Sequence, residues 1–506
     1  LRGRLAPGSE ADQWCDRNIL ERLHRETLSQ LRRDVRAVSL PDHASFLSRW
    51  QGLDPGHHPT EDPVLAAVGQ LAGQFLPAEI WERDVFPLRI PDYAPANLDR
   101  LCAQGDLVWQ AQGSDWQHLR VRFFWAGEGN LYLEAQPEPS LLEGLGADAR
   151  RIYEFMRKEG SVSSRVLQSA LGLAPQPCDR ALLELVMVGL VSQDRTEILR
   201  AIIAGRFGVE EGEAMRSSLD EHLAEWREQR KPALMQRPSR SEMLAGRRRV
   251  ARRLTPRPST EGRWSLVHRY GVLGEPLDPL AQAQAQARQA LHCYGIITRD
   301  VIEGQRGMLP WAALYPHLNR MELTGEVRRG YFVQGLSGLQ YALPEAVDAL
   351  RAWTRADAPG RDALVLVNAA DPALIYGRES HTPDTPSGED SGSDASAKEP
   401  SFTRIPSNYV VLENGVPVLV YEHGSGRWQT PEGVDAERAA QSVSLLLAHI
   451  TRPGGIAYRP RRVVVNAWNG RSPLNSPIGE ALASLGFRRE TPGMVWDGLV
   501  GSPSER

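Results

Sequence analysis

Apolar positions recur at helical spacing through most of the chain and then, beyond Trp353, alternate as in strands. The pattern is fullest between Trp264 and Trp353. Pro279 to Tyr294 is an Ala/Gln/Arg-rich phrase with Ala281, Ala285, Leu291 and Tyr294 at helical spacing, which predicts a helix. Leu309 to Leu323 predicts a second, with Trp311, Leu314, Tyr315, Leu318 and Met321 on one face and Gly325 closing it. "EVRRGYFV" follows, alternating and rich in aromatic and β-branched residues, as a strand or hairpin is. Helix, short helix, helix, basic hairpin is the order of a winged helix, whose later helix enters a DNA groove while the wing lies on the backbone. Arg320, Arg328 and Arg329 are therefore candidate phosphate contacts, the alternative being a solvated rim.

The same order recurs upstream. Asp12 to Trp50 is helical in pattern and broken near Pro41, with Ile19, Leu20, Leu23, Leu28 and Leu31 apolar and Arg25, Arg32 and Arg33 outside. Helices over Pro63 to Leu76 and Pro95 to Ala103 precede a strand pair, "GDLVWQAQGSDWQHLRVRFFW", that carries Arg120 and Arg122. Ala149 to Asp194 repeats the form, with Pro177 to Val188 as recognition helix, Gly189 as its stop and "LVSQD" as a strand. After Trp353, "DALVLVNAADPALIYG", "NYVVLENGVPVLVYEHGSGRWQT" and "YRPRRVVVNAWNG" predict strands, with a hairpin at Asn414-Gly415 and helices over Val434 to His449 and Pro477 to Leu485. Such strands suit a small barrel or curled sheet. The predicted class is α+β, tandem winged-helix modules followed by a small β-barrel. The expected division is an N-terminal helical or winged-helix module (1–60), winged helices at 61–145, 146–205 and 264–335, a helical, Arg-rich connector (206–263), and a barrel (336–506) with a disordered insert at 380–400.

At 506 residues the chain has ample length for several cores, and a formal charge of −4 means that any nucleic-acid contact must come from local basic faces. The densest is Arg247, Arg248, Arg249, Arg252, Arg253 and Arg257, which either neutralises phosphates or keeps a linker soluble. Cys15, Cys102, Cys178 and Cys293 lie far apart without metal spacing, which suits free thiols in a reducing compartment. No signal peptide or membrane-length apolar run is present in the sequence, so a cytoplasmic, nucleoid-associated protein without membrane contact is expected. The chain opens without methionine, as "LRGRL", and a piece of a longer protein is expected. It holds no phosphate-binding Gly-rich loop with Lys-Ser or Lys-Thr and no zinc motif, so no cofactor and no metal site are expected.

"GRWSLV", "YGIITRD", "LYPHLNRMELTGEVRRGYFVQGLSGLQYALPEAVDALR" and "VLVNAADPALIYG" resemble long helicase-related proteins of the Lhr type in the region after their motor domains. "ADQWCDRNILERLHRETLSQLRR", "LPDHASF", "FLSRWQ" and "PAEIWE" resemble the earlier part of that region. The resemblance implies tandem winged helices before a β-barrel, the N-terminal helicase core of the same protein as a partner, and ATP and Mg only in those motor domains. The winged-helix and barrel unit also resembles AlkZ-type DNA glycosylases, whose strand motif of Gln, any residue, then Gln or Asp falls here on Gln340, with Ala342 departing at the second position. A glycosylase needs a group that steadies the cationic sugar or orients water once a base is flipped. Asp371 in "AADP" and Asp497 in "MVWDG" are the carboxylates considered, the first otherwise an Asx turn and the second otherwise an exposed terminal turn. Tyr331, Trp428, Trp468 and Asn469 are wedge or stacking candidates, unless the aromatic rings are core. The expected function is a DNA-repair module acting on single- or double-stranded DNA, with RNA open, that excises uracil or another altered base. The alternative is a non-catalytic binding and homo-oligomerising module of the helicase.

Overall fold

Proline and glycine set the limits of the helices. Pro63–Gln70, Pro95–Gln104, Pro175–Met187, Pro279–Tyr294 and Pro344–Trp353 each begin on a proline, where no intrahelical N–H is needed. The Pro95–Gln104 and Trp311–Thr324 helices end at Gly105 and Gly325 in the left-handed conformation, and Gly189 takes the same sign of φ just after Pro175–Met187. The computed structural model describes residues 37–54, 62–208, 262–355, 360, 362–379, 402–452 and 462–497, together with short stretches within 2–27.

Among the described residues three modules share one topology, so the repeat seen in the sequence pattern is a repeat of fold. In the first, Pro63–Gln70, Leu76–Pro77, the helical run Ala78–Arg89 and Pro95–Gln104 lead into the antiparallel pair Leu107–Gln112 and Arg120–Trp125. In the middle one, Ala147–Glu159, Val162–Ser163, Ser164–Leu171 and Pro175–Met187 lead into Val191–Gln193. In the last, Pro279–Tyr294, Ile296–Ile297, Arg299–Glu303 and Trp311–Thr324 lead into Arg328–Gly330 and Gln340–Ala342. Each three-stranded sheet has the final strand in the centre.

Two expected boundaries are corrected. Arg263–Leu266 pairs with Val162–Ser163 and Val191–Gln193, so it completes the middle winged helix instead of opening the last one. Gln340–Ala342 is the inner strand of the last wing, so that module runs past 335 and the C-terminal part cannot begin at 336. Residues 37–54 also pack against the last module. Val38 bridges Val333, and the Leu40–Trp50 helix packs on Pro344–Trp353 with Phe46 and Trp353 5.7 Å apart. The Trp50 indole N–H donates to the His292 carbonyl at 3.0 Å.

Leu364–Asn368, Asn408–Glu413, Val416–Glu422, Arg427–Gln429 and Ala467–Trp468 form a five-stranded sheet in that order, antiparallel except for the final pair. Val463–Val465, Gly493–Trp496 and Arg488–Glu490 form a second sheet. Among the described residues the strands of the expected barrel form these two sheets, which share one apolar core with the Ala436–Thr451 helix. The hairpin turn lies at Asn414-Gly415, both with positive φ, as the sequence predicts. A Cβ on Gly415 would meet the Pro41 carbonyl oxygen at 1.8 Å, so this turn seats the sheet against the Leu40–Trp50 helix. One continuous apolar core joins the three winged helices to Val367, Val410 and Val420 of the large sheet. Cys102, Cys178 and Cys293 are buried free thiols, with burial pushing Cys178 and Cys293 up to about 12. Among the described residues no helix is long and apolar enough to cross a membrane.

Candidate functional site

The last winged helix turns one face outward. Its recognition helix, Trp311–Thr324, buries Leu314, Leu318 and Met321 and leaves Arg320 and Leu323 exposed. Tyr331, at the start of the wing loop, is 62% exposed. Arg328 and Arg329 are half-buried and have acidic partners, Asp348 at 3.2 Å and Glu322 at 3.5 Å. Arg329 also donates to the Asn319 side-chain oxygen at 3.2 Å, an atom that accepts from the Tyr341 hydroxyl at 2.6 Å. Arg320 and Tyr331 are thus exposed groups of this module, while Arg328 and Arg329 are tied to its frame.

Gln340 is not a water-positioning group at a surface. It is fully buried, its Oε1 accepts from the backbone N–H groups of Phe332 and Val333 at 2.7 and 2.9 Å, and its Nε2 donates to the Val333 carbonyl at 2.9 Å. The amide thus replaces missing strand partners and fixes the root of the wing on which Tyr331 sits.

Asp371 likewise does not face a cleft. It is 0% exposed and forms a two-point ion pair with Arg89, both distances being 2.7 Å. One of its oxygens also accepts from the Ala373 N–H at 2.8 Å, the Asx turn that the sequence left as the alternative. Arg89 continues to Gln51 Oε1 at 2.9 Å and the Val85 carbonyl at 3.1 Å. This joins the first winged helix, the segment after Leu40–Trp50 and the large sheet through one buried charge pair. A second interior cluster escaped the sequence reading. Asp84, also 0% exposed, meets Arg83 at 2.8 Å, His449 at 2.9 Å, Asn368 at 2.9 Å and the Tyr409 hydroxyl at 3.1 Å. Burial alone pushes an aspartate up, but Arg83 and the His449 hydrogen bond hold this one below its ordinary range. The available signal was an Arg-Asp pair inside the apolar phrase "EIWERDVF".

Asp497 lies at the end of Gly493–Trp496, its side chain 20% exposed and paired with Arg488. It is thus the accessible member of the two carboxylates considered, and the half-buried Trp496 precedes it. Trp468 and Trp428 are not wedges. They stack on each other at 5.8 Å and 8° inside the second core, with Trp428 donating to the Val464 carbonyl at 2.9 Å and Trp468 to Thr430 at 3.2 Å. Asn469 fixes the neighbouring turn through Thr430. Arg247, Arg248, Arg249, Arg252, Arg253 and Arg257, and the insert 380–400, lie outside the described residues.

These features define a tandem winged-helix protein with a mixed helix and sheet C-terminal part. Residues 38–126 and 276–362 each match the winged-helix domain of the large helicase-related protein, so the chain carries winged-helix domains of that family. It is 29% identical over 498 residues to a Mycolicibacterium smegmatis protein named Lhr helicase/probable uracil glycosylase, an alignment that takes in 91% of this chain and 31% of that one. It is 25% identical over 534 residues to the Escherichia coli K12 protein named Lhr helicase/uracil glycosylase, covering 97% of this chain and 31% of that one. The chain thus spans about a third of the length of these relatives. Among solved structures, the Streptomyces sahachiroi DNA glycosylase AlkZ aligns with a TM-score of 0.42 and 14% identity over 84% of this chain and 99% of that chain.

Proposed function

We propose that this chain holds nucleic acid on the outward face of its last winged helix and excises uracil or another altered base, with Asp497 as the carboxylate. The observation that carries the binding half is the pairing of exposed Arg320 on the recognition helix with exposed Tyr331 on a wing anchored by Gln340. A cation reaches phosphate and a ring stacks on a base or sugar, so one module supplies both contacts. The Arg247 to Arg253 stretch adds charge for the backbone. Likeness in sequence to proteins named as uracil glycosylases supports the excision half.

In that step the flipped nucleotide's C1′–N bond breaks with its electron pair leaving on the base. Water adds its oxygen to C1′, and its proton passes by way of the carboxylate to the departing base, so the whole is a hydrolysis without metal or redox partner. An ionised Asp497 serves it by steadying positive charge on the sugar and orienting water, and Arg488 fixes its direction. The C-terminal sheets, curled toward a barrel, supply that carboxylate. A DNA-repair protein of this kind works in the cytosol at the nucleoid, joined to the helicase core of the same protein.

A second reading is favoured by the internal use of Gln340 and Asp371, which leaves one accessible carboxylate of the two considered. There the chain binds DNA or RNA and assembles a homo-oligomeric helicase without excising anything. Labelled single- and double-stranded DNAs carrying uracil, alkylated or oxidised bases separate the two. Cleavage establishes the first reading, and salt-dependent binding with no cleavage on any substrate establishes the second.

A further inference from the structure

We propose that Trp311 and Tyr315 form a stacking site for an unpaired nucleobase on the last winged helix, an assignment that rests on the binding reading above. The recognition helix Trp311–Thr324 is poorly equipped to read a duplex through a groove. Its exposed residues are Ala312, Pro316, Arg320, Leu323 and Thr324, and of these only Arg320 and Thr324 carry hydrogen-bonding side chains. The Thr324 hydroxyl is already held by the Met321 carbonyl at 3.1 Å and by Glu326 at 2.9 Å. Asn319 is taken by Tyr341 and Arg329. Arg320 and the half-buried His317 are left for base edges, fewer groups than a helix that reads sequence in the major groove presents.

The helix carries rings instead. Trp311 and Tyr315 stand one turn apart, and both are half-buried, so each keeps part of its surface in solvent. Their ring centroids are 6.2 Å apart. Behind both lies Tyr341, which is 0% exposed, 6.0 Å from Trp311 and 6.4 Å from Tyr315, the latter edge-on at 81°. Among the described residues neither the Trp311 indole N–H nor the Tyr315 hydroxyl has a hydrogen-bond partner, and neither atom is sealed from solvent. The indoles that serve the interior differ. Trp81, Trp109, Trp264 and Trp428 each donate to a protein oxygen at 2.8 to 2.9 Å. Rings backed by a fixed third ring, with their polar tips in water, suit a stacked base, whose π-face needs no particular sequence. Arg320 on the same helix supplies charge for the backbone of that strand. A base inside an intact duplex is already stacked and paired, so the site takes one from a single strand or one displaced from a duplex.

The test measures the affinity of the parent, Trp311→Leu, Tyr315→Leu and Trp311→Phe, each in the full chain, for a labelled single strand, an abasic strand of the same length, a blunt duplex and a duplex with one bulged nucleotide. Leucine keeps an apolar side chain against Tyr341 and removes the ring face, so both leucine variants should melt with the parent. The parent should prefer the single strand to the abasic one. Each leucine variant should bind the single strand about tenfold more weakly, the worth of one stacked base, with parental affinity for the abasic strand and a parental salt slope. Trp311→Phe, the milder change, should fall between, and it carries the same test if a leucine variant melts early. A loss on the single strand, on the bulged duplex or on both supports the site and names the source of the base. Parental affinity of both leucine variants for every unpaired base, an equal loss on the abasic strand, or a larger loss on the blunt duplex than on the single strand overturns it. A parent that binds none of these DNAs overturns the binding reading itself.

Discussion

The first and last winged helices have the same strand order and use their charged residues in opposite ways. The first is built into the interior. Its Arg89 and Asp84 are buried, bound respectively to Asp371 of the large sheet and to His449 of the Ala436–Thr451 helix. The last keeps Arg328 and Arg329 half-buried against acids and sends Arg320 and Tyr331 outward. A charge in the interior requires a partner for the fold to stand, whereas an exposed one costs the fold little and is available to a ligand. Topology alone therefore does not say which copy of a repeated module meets nucleic acid. Burial does.

The sharpest way to break this contrast is Asp371→Asn, which leaves Arg89 buried beside a neutral group. It should cost about 3–5 kcal/mol in chemical denaturation, as loss of one partner of a buried pair does. A loss near zero would mean that Arg89 and Asp371 do not join the modules. Next comes His43, on the helix that packs against the last module, which burial lowers to about 4. Its folded pKa lies below the ordinary 6.5, so the unfolded chain takes the proton first and stability falls as pH drops from about 6.5 toward 4. Between pH 7 and 4.5, His43→Leu should lessen the decline by about 2 kcal/mol in urea titrations. Gln340→Ala should cost about 1–3 kcal/mol by leaving the Phe332 and Val333 N–H groups without their acceptor, with faster hydrogen exchange confined to those amides. Arg320→Ala and Tyr331→Ala should shift stability by no more than about 0.5 kcal/mol while weakening nucleic-acid binding, the arginine variant with a shallower salt dependence.

Local chemistry made much of this fold legible. Proline starts, glycine stops and apolar spacing marked the Pro279–Tyr294 and Trp311–Thr324 helices, and Asn414-Gly415 marked its hairpin. Partners distant in sequence were not legible. Nothing near "RWSL" marks it as a partner of Val162–Ser163, a pairing that depends on a module about a hundred residues earlier. Asp371 shows an Asx turn locally, and nothing near it names Arg89, 282 positions away, as its counter-charge. Gln340 fits a surface motif by residue type, and its burial arises only when the wing folds back over it. The same holds for Trp468, whose stacking on Trp428 requires two strands from separate segments. Arg320 and Tyr331 were legible because exposure on a helix face and a wing follows from position within a single module.

The most direct measurement is excision of uracil from labelled DNA by the parent, Asp497→Asn and Asp371→Asn, each scored for folded fraction and DNA affinity in the same samples. Asp497→Asn is expected to stay folded, bind DNA and lose cleavage, while Asp371→Asn loses stability but cleaves in proportion to its folded fraction. Full cleavage by Asp497→Asn, or loss of cleavage by well-folded Asp371→Asn, would contradict the Asp497 assignment.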